Sequence, residues 1–111
     1  MDRTDEYRDI VKRVLRQVAD ISPSDDNIRT ELVRDDSLGH YQLGQVGWEG
    51  DRRIDDTFLH IDVVDGKIWL QHDGTNLIIA DDLLEAGVPK EHIVLAFHPP
   101  KLRQYTDFAV A

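Results

Sequence analysis

The fold is decided by residues 54–72, IDDTFLHIDVVDGKIWLQH, in which Asp65-Gly66 separates two runs of alternating character. Asp-Gly between two such runs is among the strongest short signals for a β-hairpin with a two-residue turn. A turn made of these two residues fixes the pairs across the hairpin, namely Val64 with Lys67, Val63 with Ile68 and Ile61 with Leu70.

Side chains alternate between the two faces of a strand, so this register divides the hairpin into two surfaces. One surface is wholly apolar and is the predicted core face: Leu59, Ile61, Val63, Ile68 and Leu70. The other surface mixes polar groups with aromatic rings: Phe58, His60, Asp62, Trp69 and Gln71. On that second surface, the register puts Gln71 opposite His60.

Upstream of the hairpin, apolar residues recur at steps of three and four from Tyr7 to Ile21, which predicts an amphipathic helix. The polar run 22–27 is expected to end this helix as a loop. Strands are predicted at 28–34 and 41–48, with Gly44 or Gly47 marking a bulge in the second strand.

Downstream, Thr75 or Asn76 is expected to cap a second helix that runs to Ala86. Gly87 and Pro89 suit its C-terminal stop, and residues 89–92 are expected to form one short turn. The apolar run 93–97 predicts a strand buried on both faces. The whole is a single domain, 1–111, of the α+β class, with an N-terminal helix, a mainly antiparallel sheet of about five strands and a second helix before the last strand.

Charge and composition narrow the function classes. The chain has 13 basic and 22 acidic residues, a formal charge of −9, which disfavours unaided binding to nucleic acid or to an anionic membrane. It has no cysteine, which excludes disulfides and thiolate sites. No signal-peptide pattern and no apolar run of ~20 residues is seen, so a cytoplasmic location and no membrane contact are expected.

The candidate chemical residues are His60 and Asp62, which share one strand face because they lie two positions apart. Asp55, Asp56 or His98 could supply a third ligand for a metal or ligand site. His60, Asp62 and His98 together are the alternative centre of a small hydrolase or nuclease. A plain polar sheet face explains the same residues. We predict no catalytic residue, no metal and no cofactor.

Two surfaces remain open to alternative interpretations. Basic residues could assemble into a patch that binds nucleic acid directly, although each is flanked by acids: Lys12, Arg13, Arg16, Arg52, Arg53, Lys101 and Arg103. The aromatic and C-terminal residues Trp69, Arg103, Tyr105 and Phe108 are predicted to form a partner-binding surface, because binding hot spots favour aromatic rings beside arginine. Alternatively, the apolar C-terminus packs back over the sheet.

An ordered set of motifs resembles one family, the XisI proteins. The motifs span most of the chain: Tyr41-Gln42-Leu43, Val46-Gly47-Trp48, Gly50, His60-Ile61-Asp62, Asp65-Gly66-Lys67-Ile68-Trp69, Asp73-Gly74-Thr75, Ile79-Ala80, Gly87-Val88-Pro89-Lys90, Ile93-Val94-Leu95, Phe97-His98-Pro99-Pro100, Arg103-Gln104-Tyr105-Thr106 and Phe108-Ala109-Val110-Ala111. Each motif alone is weak, but their order and spacing match the family.

This resemblance implies an accessory role in DNA recombination. The family is named for a controlling factor in excision of the fdxN element from cyanobacterial chromosomes, where a separate recombinase carries out the strand chemistry. It therefore implies a non-catalytic protein that acts through protein–protein interaction with a companion XisH-like protein, and on nucleic acid only indirectly. A homo-oligomer also stays open. The family supplies no catalytic residues to transfer to this sequence.

Overall fold

The computed structural model describes residues 3–21, 26–75 and 77–111. Its elements are α1 Thr4–Ile21, β1 Ile28–Asp35, β2 His40–Glu49, β3 Arg52–Val64, β4 Lys67–Asp73, α2 Ile79–Glu85, a 3₁₀ turn Lys90–His92, β5 Ile93–Leu95 and α3 Pro100–Arg103. The five strands form one sheet in chain order, antiparallel except for the parallel pair β4–β5. The predicted α+β fold is confirmed. The predicted polar loop after α1 falls largely on residues 22–25, outside the described residues.

The core lies between α1 and one face of the sheet. The helix buries one stripe of side chains, namely Tyr7, Ile10, Val11, Val14, Leu15 and Val18, whereas Ile21 at its end is exposed. Facing this stripe are the five predicted core residues of the hairpin, each at most 2% exposed. The predicted core face is therefore confirmed. Within the described residues, no helix has the length and apolar character needed to span a bilayer.

The β3–β4 hairpin turns at Asp65 and Gly66, as predicted. Their φ angles are 51° and 75°, so both residues occupy the left-handed region that a two-residue turn of type I′ requires. Val64 pairs with Lys67 and Val63 with Ile68. The turn chemistry therefore fixes which side chains of both strands face the core.

Two bulges modify the predicted register. On β3, Leu43 of β2 pairs with Leu59 but Gly44 pairs with Thr57, which leaves Phe58 as the extra residue. The register shift lies at Gly44, one of the two predicted positions, but the extra residue belongs to β3 and not to the second strand, where the bulge was predicted. Phe58 was predicted on the polar surface, and this is wrong, because the bulged Phe58 is partly buried and packs against the core.

The second bulge lies on β4 and corrects another pair. Ile61 pairs with Leu70, as predicted, but His60 pairs with His72, so Gln71 is the extra residue. The predicted position of Gln71 opposite His60 is therefore wrong. The alternation rule counts one residue against one, and it fails wherever a strand carries an additional residue.

The predicted cap and length of α2 are wrong. The Thr75 hydroxyl donates to Asp73 Oδ1 at 2.5 Å and accepts from the Leu77 amide at 3.2 Å, so it stabilises a turn. The helix begins only at Ile79, after Ile78, which makes no side-chain cap. The other predicted cap, Asn76, lies outside the described residues. Gly87, with φ of 99°, follows the helix end as predicted.

The last strand is shorter than predicted. The 3₁₀ turn before it is confirmed, but β5 ends at Leu95 because the chain turns there, with the His98 amide donating to the Leu95 carbonyl at 3.1 Å. Ile93 and Val94 are buried, whereas Phe97 is 47% exposed. An apolar run predicts which residues are buried, but it does not indicate where the backbone leaves the sheet.

Candidate functional site

The outer face of the sheet, meaning the face turned away from α1, holds a cluster of His40, His60 and Asp62. Both rings contact the same carboxylate oxygen. His40 Nδ1 lies 2.7 Å from Asp62 Oδ1, and His60 Nε2 lies 2.8 Å from it. The ring nitrogens and the carboxylate oxygen all lie within 4.8 Å of one another. Three groups that commonly bind metals or transfer protons therefore converge on one point.

Rigid backbone positions each member of this cluster. His60 and Asp62 are two positions apart on β3 and therefore share one face. His40, the first residue of β2, pairs directly with Asp62. Hydrogen bonds hold the loop before His40, residues 36–39, at both ends. Asp35 Oδ1 accepts the Ser37 amide at 3.0 Å, and the Val63 amide donates to the Gly39 carbonyl at 2.8 Å. The cluster is thus held by paired strands and a hydrogen-bonded loop.

Asp62 is the buried anchor of the cluster. Its side chain is 10% exposed, whereas those of His60 and His40 are 30% and 50% exposed. Gln71 Nε2 donates to the second carboxylate oxygen, Oδ2, at 3.2 Å, so both oxygens have partners. The hydrogen bond from His40 to Asp62 raises the pKa of His40 above its usual value, and the charge of Asp35 adds to this effect.

The sequence placed two of these three residues together and missed the third. His60 and Asp62 were predicted to share a face, and they do. His98 is not part of the cluster: it lies in the turn after β5, where its ring packs on Phe97 with centroids 4.6 Å apart. The member that sequence reasoning missed is His40. Its signal is the β2–β3 register, which the bulge at Phe58 shifts by one residue.

The predicted partner-surface residues divide into two groups. Arg103 donates to the carbonyls of His98 at 3.0 Å and Ala96 at 3.1 Å, and its guanidinium lies 5.6 Å from the centre of the Trp69 ring. Phe108 packs against the core. Tyr105, in contrast, is 80% exposed. Arg103, Trp69 and Phe108 are therefore engaged by their own chain, and Tyr105 is the member that faces solvent.

The C-terminal segment, residues 96–111, also continues the sheet. The Ala109 amide donates to the Ile93 carbonyl at 2.9 Å, and Ala109 forms a parallel bridge with Val94. Lys67 donates to the carbonyl of Ala111. These contacts support the interpretation that the apolar tail packs back onto the sheet, with exposed side chains left on its outer side.

Comparison with known proteins places the chain in a family. The family model described as XisI protein matches residues 1–110. The chain belongs to the XisI family. This agrees with the resemblance carried by the motifs of the sequence. Among proteins with curated functions, none matches this chain.

Two solved structures of XisI-like proteins share the fold over nearly the full length of both chains. A XisI-like protein from Anabaena variabilis ATCC 29413 is 42% identical, with a TM-score of 0.93, over 97% of this chain and 99% of the other. The fdxN element excision controlling factor XisI from the same organism is 35% identical, with a TM-score of 0.87, over 99% of this chain and 100% of the other.

One prediction for this XisI-family chain concerns Asp36, in the loop that positions His40. The Tyr41 hydroxyl donates to Asp36 Oδ1 at 2.7 Å, and Lys12 of α1 lies 3.1 Å from the same oxygen. The bond from Tyr41, followed by that from Lys12, lowers the pKa of Asp36 below its usual value. We expect Tyr41→Phe to raise the pKa of Asp36, measured by NMR titration.

The sign of the accompanying pH effect follows from the lowered pKa. A depressed carboxyl pKa gives stability that is present above the unfolded-state pKa and is lost as pH falls through the folded-state value. Tyr41→Phe should therefore reduce the loss of stability on acidification. Tyr105→Phe removes an exposed hydroxyl and serves as the matched control. An Asp36 pKa that is unchanged in Tyr41→Phe would contradict the assignment.

Proposed function

We propose that this protein is an accessory factor that controls the excision of a DNA element, and that it acts by binding a companion protein of the XisH type. The observation that carries the proposal is the 35% identity, over essentially both whole chains, to a protein named as the fdxN element excision controlling factor. A likeness over the entire domain supports a shared role better than a likeness confined to the fold. The proposal includes a cytoplasmic location, where such a factor meets the chromosome.

In this role the protein does not itself catalyse strand cleavage. Excision requires strand cleavage, which the proposal assigns to a separate recombinase. The sequence-predicted hydrolase constellation of His60, Asp62 and His98 is not assembled, because His98 lies apart from the other two. Without that constellation, the catalytic alternative loses the geometry on which it depended.

The partner surface in this proposal is the exposed side of the C-terminal segment. Tyr105 is 80% exposed, and three apolar side chains of the same segment are half-exposed: Phe97, Leu102 and Val110. Large rings and apolar groups that a domain leaves in solvent are the kind of residues that anchor protein interfaces. Arg103 and Trp69 support this segment from beneath, because the guanidinium lies over the indole ring.

The proposal is tested with an excision reporter that carries the recombinase, the companion protein and a marked element. The quantity measured is the frequency of the rejoined DNA junction, by quantitative PCR, with and without this chain. We expect the chain to change that frequency, and Tyr105→Ala to abolish the change. Trp48→Ala is the matched control, since Trp48 is a half-exposed ring on the β2–β3 hairpin. A junction frequency that is the same with and without the chain would refute the proposal.

Direct binding to DNA is the competing mode of action, and we predict that it is weak. The chain carries a formal charge of −9, and its basic side chains sit beside acids, as in Lys12 with Asp9 at 3.5 Å and Arg52 with Glu49 at 3.7 Å. We expect a dissociation constant of about 1 μM or weaker for duplex DNA at physiological salt. Fluorescence anisotropy over a salt series measures it. Tighter binding that weakens steeply with salt would instead indicate direct contact with phosphates.

A further inference from the structure

The geometry points to a binding site for one divalent transition-metal ion, of the zinc type, formed by His40 Nδ1, His60 Nε2 and Asp62 Oδ1. This inference differs from the sequence-based prediction that the chain has no metal site, and the experiment below decides between them. It concerns the outer face of the sheet and does not rest on the proposed function, although Trp69, which supports the proposed partner surface, pairs with Asp62 across β3 and β4.

The donor set selects the class of metal. Two imidazole nitrogens with one carboxylate oxygen suit zinc and neighbouring transition metals, whereas magnesium and calcium prefer oxygen ligands. Three protein ligands around such an ion leave a further position for water or an incoming group. The exposed edge of His40, whose side chain is 50% exposed, gives that position access to solvent.

The distances are compatible with an ion after a small adjustment. Two ligands about 2.1 Å from a tetrahedral ion lie roughly 3.4 Å apart, so each ring nitrogen must move from Asp62 Oδ1 by about 0.6–0.7 Å. The two nitrogens, which lie within 4.8 Å of each other, must reach the same separation. The present separations from Asp62 Oδ1 are 2.7 Å and 2.8 Å. Neutral imidazole reaches the liganding form by carrying its proton on the other ring nitrogen. The change is within the freedom of two partly exposed side chains.

The surroundings favour a cation at this point. Among the described residues, no Lys or Arg side chain forms an ion pair with Asp62, and its carboxylate contacts the two rings and the Gln71 amide. Asp35 lies opposite His40 across β1 and β2 and adds a second negative charge nearby. Gln71 also holds the second oxygen of Asp62, and such outer hydrogen bonds orient the ligands of bound metals.

The experiment titrates zinc into the untagged, full-length protein by calorimetry, with a chromophoric chelator as competitor. We expect one zinc ion per chain. Asp62→Asn and His40→Ala should each weaken binding by about 100-fold or more, and Gln71→Ala by about 10-fold. His98→Ala is the matched control: it removes an imidazole that sequence alone grouped with His60 and Asp62, and it should leave the affinity unchanged.

Two further arms keep the test decisive. Circular dichroism of each variant without metal checks the fold, and His40→Ala serves if Asp62→Asn unfolds, since the His40 side chain is half exposed. A thousandfold excess of magnesium should not displace zinc, because nitrogen ligands disfavour magnesium. Absence of zinc binding in the folded wild-type protein, or an equal loss in His98→Ala, would overturn the inference.

Discussion

Ile61→Ala is expected to destabilise the protein by about 2–5 kcal/mol, the range for truncating a buried isoleucine. Ile61 is fully buried at the centre of β3, where it pairs with Tyr41 on one side and Leu70 on the other. Two strands and α1 surround it, so the removed methyl groups leave a cavity that the neighbours cannot readily fill. Urea unfolding followed by circular dichroism measures the change.

Two matched variants separate this cavity effect from loss of strand propensity. Ile61→Val keeps the β-branch and should cost only about 0.5–1.5 kcal/mol. Val33→Ala changes a β-branched residue that is 53% exposed on the edge strand β1, and it should stay within about 0.5 kcal/mol. If Ile61→Ala were as mild as Val33→Ala, the position of β3 at the centre of the core would be wrong.

Deletion of residues 105–111 is the second change with a large expected effect, and it should lower the Tm by about 5 °C or more. The deletion removes Phe108, which packs against the core, and the Ala109 amide that donates to Ile93. It also removes the Val110 carbonyl, which accepts a bond from Arg103 at 3.4 Å. Differential scanning calorimetry gives the shift.

Point variants assign that loss to particular contacts. Arg103→Lys keeps the charge but cannot reproduce the forked hydrogen bonds to His98 and Ala96, so it should also lower the Tm. Tyr105→Ala removes a ring that is 80% exposed and should leave the Tm nearly unchanged. A deletion that leaves the Tm unaltered would mean that the tail serves only a partner and contributes nothing to the fold.

The sequence predicts those parts of the fold that are determined by residues close together in the chain. Asp65-Gly66 encodes its own turn, because both residues tolerate a positive φ, and that turn determines the faces of β3 and β4. The helix that begins near Tyr7 is also determined by residues close in sequence, because its apolar stripe repeats every three or four positions. The end of β5 is not determined in this way, since nothing in the apolar run 93–97 marks the turn after Leu95.

The candidate cluster could be predicted only in part, for a physical reason. His60 and Asp62 lie on one strand, so alternation alone brings them together. His40 reaches them across 22 positions of sequence, and its face depends on the bulge at Phe58. Counting one residue against one from the Glu49–Arg52 pair would put His40 opposite Ile61, whereas the bulge at Phe58 puts it opposite Asp62. Bulges arise from packing between strands, which a single sequence does not display.

The central claim, that this protein acts by binding a companion of the XisH type, is tested most directly by calorimetry with the two purified proteins. We expect a defined stoichiometry and a dissociation constant of about 1 μM or tighter, equivalent to roughly 8 kcal/mol. Tyr105→Ala should weaken binding by about tenfold or more, and Trp48→Ala should not. No binding of the wild-type proteins at concentrations of about 100 μM would contradict the claim.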